Sequence, residues 1–176
     1  MAKSDSFFIR ASVAFPAGGG DFNQTEIDLG SFVNLGVSKS TLMRIWNIQV
    51  QFTDDTGVEH MIYSIAVPGG SVGWQLCTQT QTALVQATDK SLVASGKLNC
   101  FGDSTSTAHS QQVTESQDIN PSQWKNGYLI GVDSLFLGAD ASNTISSGVG
   151  DVNIVMECTL ETATQASSTA LALSQQ

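Results

Sequence analysis

Apolar and polar residues alternate along much of this chain, most clearly between Thr41 and Val67. Apolar side chains recur on every second residue in both halves of this segment, at Trp46, Ile48, Val50 and Phe52 and then at Met61, Tyr63, Ile65 and Val67. A period of two places these side chains on one face of a β-strand. The turn residues Asp54 to Gly57 lie between the halves. The segment predicts a long β-hairpin with one buried face, around which the remaining strands are organised.

The same alternation, bounded by glycine, proline and polar clusters, predicts six further strands. They are Ser6–Phe15, Thr25–Leu29, Val72–Thr80, Ser91–Phe101, Tyr128–Leu137 and Asp151–Glu161. Gly96 indicates a bulge, and apolar residues on both faces of Tyr128–Leu137 predict a central strand. The last strand points Val152, Ile154, Met156, Cys158 and Leu160 inward and Asn153, Glu157, Thr159 and Glu161 outward. Eight strands with almost no helix predict an all-β, antiparallel eight-stranded β-sandwich, specifically a single jelly roll.

The segments between the strands are polar or rich in glycine. Residues Gly102 to Gln117 predict an exposed loop, Thr82 to Ala87 a short strand or turn, and Ala139 to Gly150 a Ser-, Asn- and Gly-rich loop. Asp118 to Ser122 predicts a turn into one helical turn around Trp124. The uncharged tail Thr162–Gln176 has no amphipathic pattern. We therefore predict one domain over 1–161 and, over 162–176, an arm that lies across a neighbour or stays mobile.

The charge pattern narrows the classes of partner. Charged residues make up 13% of the chain and the net charge is −9, with a sequence pI near 4.3. The seven basic residues are scattered, whereas phosphate binding needs clustered Lys and Arg. Direct nucleic-acid binding by the folded domain is therefore not predicted. A surface of Ser, Thr, Gln and Asn instead suits contacts with other protein.

The cysteines and the N-terminal segment indicate the type of cellular compartment in which the chain folds. Cys77, Cys100 and Cys158 lie in strand-like runs without CxxC spacing. They are interpreted as buried free thiols, with one disulfide and a spare thiol as the alternative. Arg10 interrupts the apolar run Phe7 to Ile9, so no secretory signal is expected, and no run of 18 apolar residues predicts a membrane span. Folding in a reducing compartment is expected.

Three patterns were weighed as catalytic chemistry. Gly69 to Gly73 matches G-x-S-x-G around Ser71, but that mechanism needs a strand–turn–helix and no helix follows. Glu157 and Glu161 lie four residues apart on one strand face, which separates them by about 13 Å, too far for a glycosidase pair. His60 and His109 have no partner at ligand spacing. No catalytic residue and no enzymatic activity are predicted.

Metal and sugar binding were weighed in the same way. Asp54 and Asp55 are explained as turn residues, and the loop from Asp140 to Asp151 is the better calcium candidate. Trp46 and Trp74 are in phase with the apolar sets of their strands, which predicts core positions. Trp124 is the one tryptophan expected to be exposed. No metal-ligating residue and no cofactor are predicted.

The C-terminal third carries a family resemblance. The segment NGYLIGVDSLFLGAD, residues Asn126 to Asp140, is followed by a Gly- and Ser-rich loop and by DVNIVMECTLET. Together with the size and layout of the chain, this resembles the single-jelly-roll major capsid proteins of tailless icosahedral viruses with an internal membrane, such as archaeal sphaerolipovirus-like viruses. The resemblance implies upright strands and pseudo-hexameric capsomers, often beside a second jelly-roll protein and above a viral membrane.

The sequence thus predicts a structural virion protein, a self-assembling capsid subunit of an icosahedral shell. Its expected partners are copies of itself and a second capsid protein, with no small-molecule substrate. Its expected location is the virion, assembled in the host cytoplasm. The alternative is a carbohydrate-binding, lectin-like sandwich, with an exposed aromatic residue near Trp124 or Tyr128 and calcium in the loop 140–151.

Overall fold

The computed structural model describes residues 5–16, 20–35, 39–54, 56–57, 69–102, 110–142 and 149–175, with the backbone alone at 100–102 and 110–117. Within these residues, two antiparallel sheets are formed by nine strands: β1 (Phe7–Phe15), β2 (Asn23–Asp28), β3 (Lys39–Asp54), β4 (Gly69–Cys77), β5 (Leu92–Gly102), β6 (Ser110–Ile119), β7 (Tyr128–Ile130), β8 (Ser134–Ala141) and β9 (Gly150–Thr164). A 3₁₀ turn covers Pro121–Gln123 and one α-helix, α1, covers Gln165–Ser174.

The strand order is that of a jelly roll. One sheet, here sheet A, has the order β1-β9-β3-β7, and sheet B has the order β2-β8-β4-β5-β6. The chain changes sheets at most of its connections, and the inner strands β9, β3 and β8 each lie between strands that are not their neighbours in sequence. This is the pattern of two interleaved Greek keys. The predicted all-β antiparallel sandwich with jelly-roll topology is confirmed, with β6 as an additional edge strand of sheet B.

The first half of the predicted central hairpin is β3, and its second half, 58–68, lies outside the described residues. β3 is paired along its whole length by β9 and over Met43–Ile45 by β7. Because the paired residues lie 96 to 125 positions apart in the sequence, this strand pair is set by tertiary packing. The expectation that this segment organises the fold is met by β3, which contacts strands from the other end of the chain.

Two predicted segments differ in the structure. The loop predicted over Gly102–Gln117 contains strand β6 from Ser110 onward, which pairs with β5 through backbone groups. The loop was predicted from the polarity of its side chains. Strand pairing, however, is made by backbone hydrogen bonds, which polar residues form as well as apolar ones. The single central strand predicted over Tyr128–Leu137 is two strands in different sheets, β7 and β8, separated by Gly131 to Asp133. Apolar residues on both faces favoured one continuous strand, although Gly131 and the exposed Asp133 mark the point where the chain crosses between the layers.

Trp46 was predicted to lie in the core and is instead on the outer face of sheet A. The pairing of β3 with β9 shifts by one residue between Ile45 and Asn47, so Trp46 is the extra residue of a β-bulge. Its indole Nε1 donates to Thr159 Oγ1 at 3.0 Å. Ile45 and Ile48, on either side of the bulge, are both fully buried. The bulge predicted at Gly96 lies instead on the opposite strand: Gly96 pairs in register with Trp74, and the pairing of β5 with β6 shifts because β6 has two extra residues between Glu115 and Ile119.

The core lies between the two sheets. Its largest fully buried side chains are Trp74, Phe15, Leu29, Met43, Ile45, Ile48, Leu76, Ile130, Leu135 and Leu137. The core position predicted for Trp74 is confirmed. Cys77 and Cys158 are buried free thiols, as predicted, and the side chain of Cys100 lies outside the description. Burial raises the pKa of Cys77 to about 11 and that of Cys158 to about 12.

The C-terminal segment folds onto the body of the chain. Residues 162–164 continue β9, and α1 follows with Thr164 as its N-cap. Ser168 Oγ donates to Ser40 Oγ at 2.9 Å. The Gln175 side chain forms hydrogen bonds with the backbone of Leu129, in β7, and of Gly131, just after it. The helix was not predicted, because its docking depends on Ser168 and Gln175 rather than on an apolar stripe. The division into a domain at 1–161 and an arm at 162–176 stays a prediction. Within the described residues, no helix has the length and apolar character needed to cross a membrane.

Candidate functional site

The outer face of sheet A is a broad surface of small polar side chains. In register across β1, β9 and β3, its three rows are Phe8, Glu157 and Asn47; Arg10, Val155 and Gln49; and Ser12, Asn153 and Gln51. We call these nine residues the amide face. Their inward-facing neighbours, such as Ile154 and Met156, are buried in the core. All nine are exposed or half-buried, so the face is accessible in the described chain.

The amide face differs from the rest of the molecule in charge. It carries one cation, Arg10, and one anion, Glu157, so its net charge is zero while the whole chain carries −9. Phe8 is 54% exposed beside them. Strand β1 borders this face and pairs with β9 alone among the described strands. An unpaired strand edge beside a neutral polar face is a surface suited to contact with another protein.

The outer face of sheet B has a different feature, a polar groove. Asp140 of β8, Gly73 of β4 and Lys97 of β5 are in register across three adjacent strands. Gly73 has no side chain, and Leu84 occupies part of the space above it; the depression beside Leu84 is also lined by Asp140 and Lys97. Leu84 borders it, since a Cβ on Gly73 would come 2.5 Å from Leu84 Cδ1. The groove above Gly73 has a volume of about 340 Å³.

The segment that borders the groove is held by side-chain hydrogen bonds. Gln75, which is 2% exposed, donates from Nε2 to the Ala83 carbonyl at 3.0 Å and accepts from the Val85 N–H at 2.7 Å. Gln24 Oε1 accepts from the Gln81 N–H at 2.9 Å. These bonds fix residues 81–85 against sheet B as a turn. The alternative of a strand over Thr82–Ala87 is therefore wrong.

The polar groups of the groove have both signs. Lys97 Nζ lies 3.8 Å from Asp118 Oδ2, and both side chains are about two-fifths exposed. Asp140 Oδ1 is buried, and no described residue donates a hydrogen bond to it. Ser71 and Ser142 line the end of the groove, where Ser142 Oγ accepts from the Ser71 N–H at 3.0 Å.

Ser71, the serine of the G-x-S-x-G pattern, lies inside β4 between β5 and β8. A hydrolase of that class needs this serine at a sharp turn before a helix, and Ser71 has no such turn. Gly73, the last residue of the pattern, leaves room for Leu84. The pattern is thus explained by sheet packing.

The other weighed residues are dispersed. Asp54 Oδ1 accepts from the Thr56 N–H and hydroxyl at 2.9 and 2.7 Å, as a turn residue does. Asp55, His60, His109 and residues 143–148 of the calcium-candidate loop lie outside the described residues. In the ranges that are described, no three metal-ligating side chains come together. Glu161, expected to face solvent, is only 6% exposed and paired with Arg44.

Trp124 is 55% exposed, as expected, and lies at the end of the predicted helical turn. The groove was not predicted from the sequence. Asp140 was assigned to a loop, whereas β8 extends through Ala141 and places Asp140 on the outer face of sheet B. The available signal was a glycine at Gly73 and another at Gly96, each inside a strand, which often marks close approach of another segment.

No protein-family model and no curated protein matches this chain. Among solved structures, apo New Jersey polyomavirus VP1 has 9% identity and a TM-score of 0.45, covering 91% of this chain and 100% of that one. Human polyomavirus 12 VP1, solved with 3′-sialyllactosamine, has 7% identity and a TM-score of 0.43 over the same shares. The Merkel cell polyomavirus virus-like particle has 8% identity and a TM-score of 0.36, covering 93% and 75%. Function is therefore argued from the contacts of the chain itself.

Proposed function

We propose that this chain is a structural shell subunit of an icosahedral virion, without enzymatic activity. The observation that carries the proposal is the amide face, a neutral and accessible sheet surface on a chain of net charge −9. The occupant proposed for this face is another copy of the chain. A strongly acidic molecule associates with its own copies most readily where its surface carries no net charge.

The chemistry of the amide face suits contact with itself. Asn and Gln side chains both donate and accept hydrogen bonds, so one amide surface is complementary to another. Arg10 on one copy has Glu157 as an opposite charge on the next, and the exposed Phe8 ring adds apolar area. Such contacts are individually weak, and repetition over many subunits makes the shell stable.

The finer parts of the proposal come from the sequence resemblance. They are pseudo-hexameric capsomers, a second jelly-roll protein in the shell, an underlying viral membrane of the sphaerolipovirus-like type, and assembly in the host cytoplasm. Among the described strands β1 pairs with β9 alone, and this edge supports contact with a further subunit, because an unpaired strand edge is prone to uncontrolled pairing. The tail 162–176 is proposed to contribute to such contacts, with α1 as its form in the isolated chain.

The test is the assembly state of the full chain. We expect large particles by light scattering and electron microscopy for the wild type. The double variant Gln49→Glu, Gln51→Glu places two acids on the amide face and is expected to shift the protein to small species. The control Gln79→Glu, Gln86→Glu adds the same charge at accessible positions outside the amide face and the tail and should still assemble. A wild type that stays monomeric under all conditions, or equal assembly by both variants, contradicts the proposal.

A second candidate function, a carbohydrate-binding module, is favoured by the polar groove above Gly73. The groove combines hydrogen-bond donors and acceptors in a concave site, as sites for small polar ligands do. Trp124, the aromatic residue expected for this function, is exposed but does not line the groove, and the expected calcium loop lies largely outside the described residues.

A further inference from the structure

We infer that the edge of β1 pairs antiparallel with β1 of a second copy of this chain, with Ile9 of the two copies opposite one another. The inference rests on the proposed shell function, because it takes the partner to be another copy, and it adds the strand and the register of the contact. This edge contact is distinct from face-to-face contact through the amide face. The two contacts can therefore be tested separately.

The first argument is the direction in which the backbone groups of sheet A point. Asn120 Nδ2 donates to the Ile48 carbonyl at 2.9 Å. Because β9 lies along the other side of β3, the backbone groups of Ile48 point away from β9. Met156, which lies opposite Ile48 on β9, therefore points its backbone groups at its β1 partner, Ile9. Ile9 and every second residue from it are thus hydrogen-bonded to β9.

The alternate residues of β1 consequently point their backbone groups at the edge. Ala14 has this orientation, since its carbonyl accepts from Asn23 Nδ2, on β2 of the other sheet, at 3.0 Å. That bond covers one end of the edge. The same orientation applies to Phe8, Arg10 and Ser12, whose edge groups bond to no residue that the structure describes. Such groups are a template for pairing with another strand.

The second argument is the incomplete burial of the core-facing side of β1. Val13 and Phe15, beside the covered end of the edge, are buried. The core-facing residues along the rest of the strand are only half-buried, although they pack against the core; they are Phe7, Ile9 and Ala11. Apolar area therefore remains accessible beside the open backbone groups. An occupant that is itself an apolar strand buries this area and bonds those groups at once.

The third argument is that β1 is complementary to itself in one register. With Ile9 opposite Ile9, Phe8 of each copy lies opposite Arg10 of the other. A ring and a guanidinium form a favourable cross-strand pair on the outer face, and on the inner side Phe7 comes opposite Ala11. Shifting the strands one step further past each other places Arg10 opposite Arg10, which is destabilising. The opposite shift shortens the paired segment.

The charges of β1 allow two acidic chains to approach at this edge. Arg10 is the one charged residue of the strand, so no acidic side chains face each other between the paired strands. Pairing joins sheet A of both copies into one continuous sheet, and the two amide faces become a single surface. The dimer also removes the edge as a site of uncontrolled pairing.

Sedimentation velocity tests the dimer in the full chain carrying Gln49→Glu and Gln51→Glu, the variant designed to suppress contact through the amide face. Both substitutions lie on β3, away from the β1 edge. We expect a reversible dimer at protein concentrations of about 10 to 100 μM, since the contact is small.

A proline on the edge tests the backbone pairing in this variant. Arg10→Pro removes an N–H that points at the edge without removing a bond to β9, and proline is tolerated at such positions. The matched control Arg10→Gln loses the same charge but keeps the N–H. The dissociation constant of the Arg10→Pro dimer should exceed that of the Arg10→Gln dimer at least about tenfold.

Thermal unfolding shows that the proline variant is folded. Arg10→Pro should unfold within a few degrees of Arg10→Gln. Ala11→Pro, one residue along, removes a donor to β9 and should unfold at a clearly lower temperature. Equal unfolding temperatures for the two proline variants would contradict the backbone directions on which the inference depends.

Disulfide cross-linking tests the register. In the same variant with Cys100→Ser, Ile9→Cys places two thiols in a non-hydrogen-bonded pair, with Cα atoms about 4.5 Å apart, within disulfide range. The control Ser12→Cys is at a more exposed position, but in this register it lies about 20 Å from its copy. Under mild oxidation Ile9→Cys should form the covalent dimer at least about tenfold faster than Ser12→Cys. Random collision would favour the more exposed thiol.

Each other result overturns the inference. A variant that stays monomeric at all concentrations removes the contact, and equal dimerisation by Arg10→Pro and Arg10→Gln removes the backbone pairing. Cross-linking of Ser12→Cys as fast as Ile9→Cys contradicts the register. The shell proposal fails on a different observation, the absence of particles in the wild type. Particles without the Ile9→Cys cross-link would remove this edge contact alone, and the cross-linked dimer without particles would remove the shell alone.

Discussion

Arg44 of β3 and Glu161 of β9 form a two-point ion pair between neighbouring strands. Arg44 Nε lies 2.6 Å from Glu161 Oε1, and Nη2 lies 2.8 Å from Oε2. The remaining nitrogen, Nη1, donates to the Asn126 carbonyl, and the Trp46 ring centroid lies 5.7 Å from the guanidinium carbon. The hydrogen bonds to Glu161 raise the pKa of Arg44, against the opposing effect of burial. The pair joins β3, β9 and the turn before β7 at one end of sheet A.

Loss of this pair should destabilise the fold. Glu161→Gln leaves the guanidinium of Arg44, only 15% exposed, without its counter-charge. We expect a loss of about 2 kcal/mol in the free energy of unfolding, measured by urea denaturation. Glu157→Gln makes the same change four residues away on the half-exposed amide face and should cost less than about 0.5 kcal/mol. Equal losses for the two variants would show that the pair has no special role.

Gly127 determines the turn that brings Asn126 to Arg44. Its φ is +60°, and a Cβ there would collide with the Ile45 carbonyl oxygen, a backbone atom that cannot move aside. Gly127→Ala should therefore cost about 3 kcal/mol in unfolding free energy. Gly57 also has a positive φ, +85°, but open space around it, so Gly57→Ala should cost only about 1 kcal/mol. Chemical denaturation of both variants separates the effect of the backbone collision from that of the positive φ. Similar losses of unfolding free energy in the two variants would show that the collision adds nothing.

Gln175 fastens the end of α1 to both layers of the sandwich. Its side chain accepts from the Gly131 N–H at 2.9 Å and donates to the Leu129 carbonyl at 2.7 Å, while its own carbonyl accepts from Thr78 Oγ1. Gln175→Ala leaves two buried backbone groups unsatisfied and should cost about 2 kcal/mol in unfolding free energy. Proteolysis within residues 165–174 should also become faster.

The control for this prediction is Gln165→Ala at the exposed start of the same helix, which should leave both measurements unchanged. If Gln175→Ala is as stable and as protease-resistant as the wild type, the helix is not held by this residue.

The two buried thiols should be nearly inert in the native state. A thiol with a pKa of about 11 or 12 is almost entirely protonated at pH 8, and the thiolate is the reactive form. In a Cys100→Ser background, alkylation of Cys77 and Cys158 by iodoacetamide should be at least about 100-fold slower than in denatured protein. Since both pKa values are raised, the native rate should increase as the pH rises. Rapid labelling without unfolding, followed by mass spectrometry, would contradict the burial of these residues.

Most strands were predictable from the sequence because each one is determined by the alternation of apolar and polar residues within its own segment. The alternation in Asp151–Glu161 gives a buried set at Val152, Ile154, Met156 and Cys158 whatever strand lies beside it. The capped turn at Pro121–Gln123 was likewise evident from Asn120, whose side chain accepts from the Ser122 N–H. These features depend on neighbours within a few residues, so the period of the pattern is sufficient to find them.

The tertiary structure decided what depends on register between distant segments. The bulge at Trp46 exists because β3 must match β9, and it moves a tryptophan from the expected core to the outer face. Glu161 became a buried ion-pair partner for the same reason. The groove arises because Asp140, Gly73 and Lys97 come into line only when three strands pair. By itself, the sequence determined where strands run and which face of each is apolar, since that information lies in adjacent residues. Which strands pair, and in what register, followed from packing two sheets around one core.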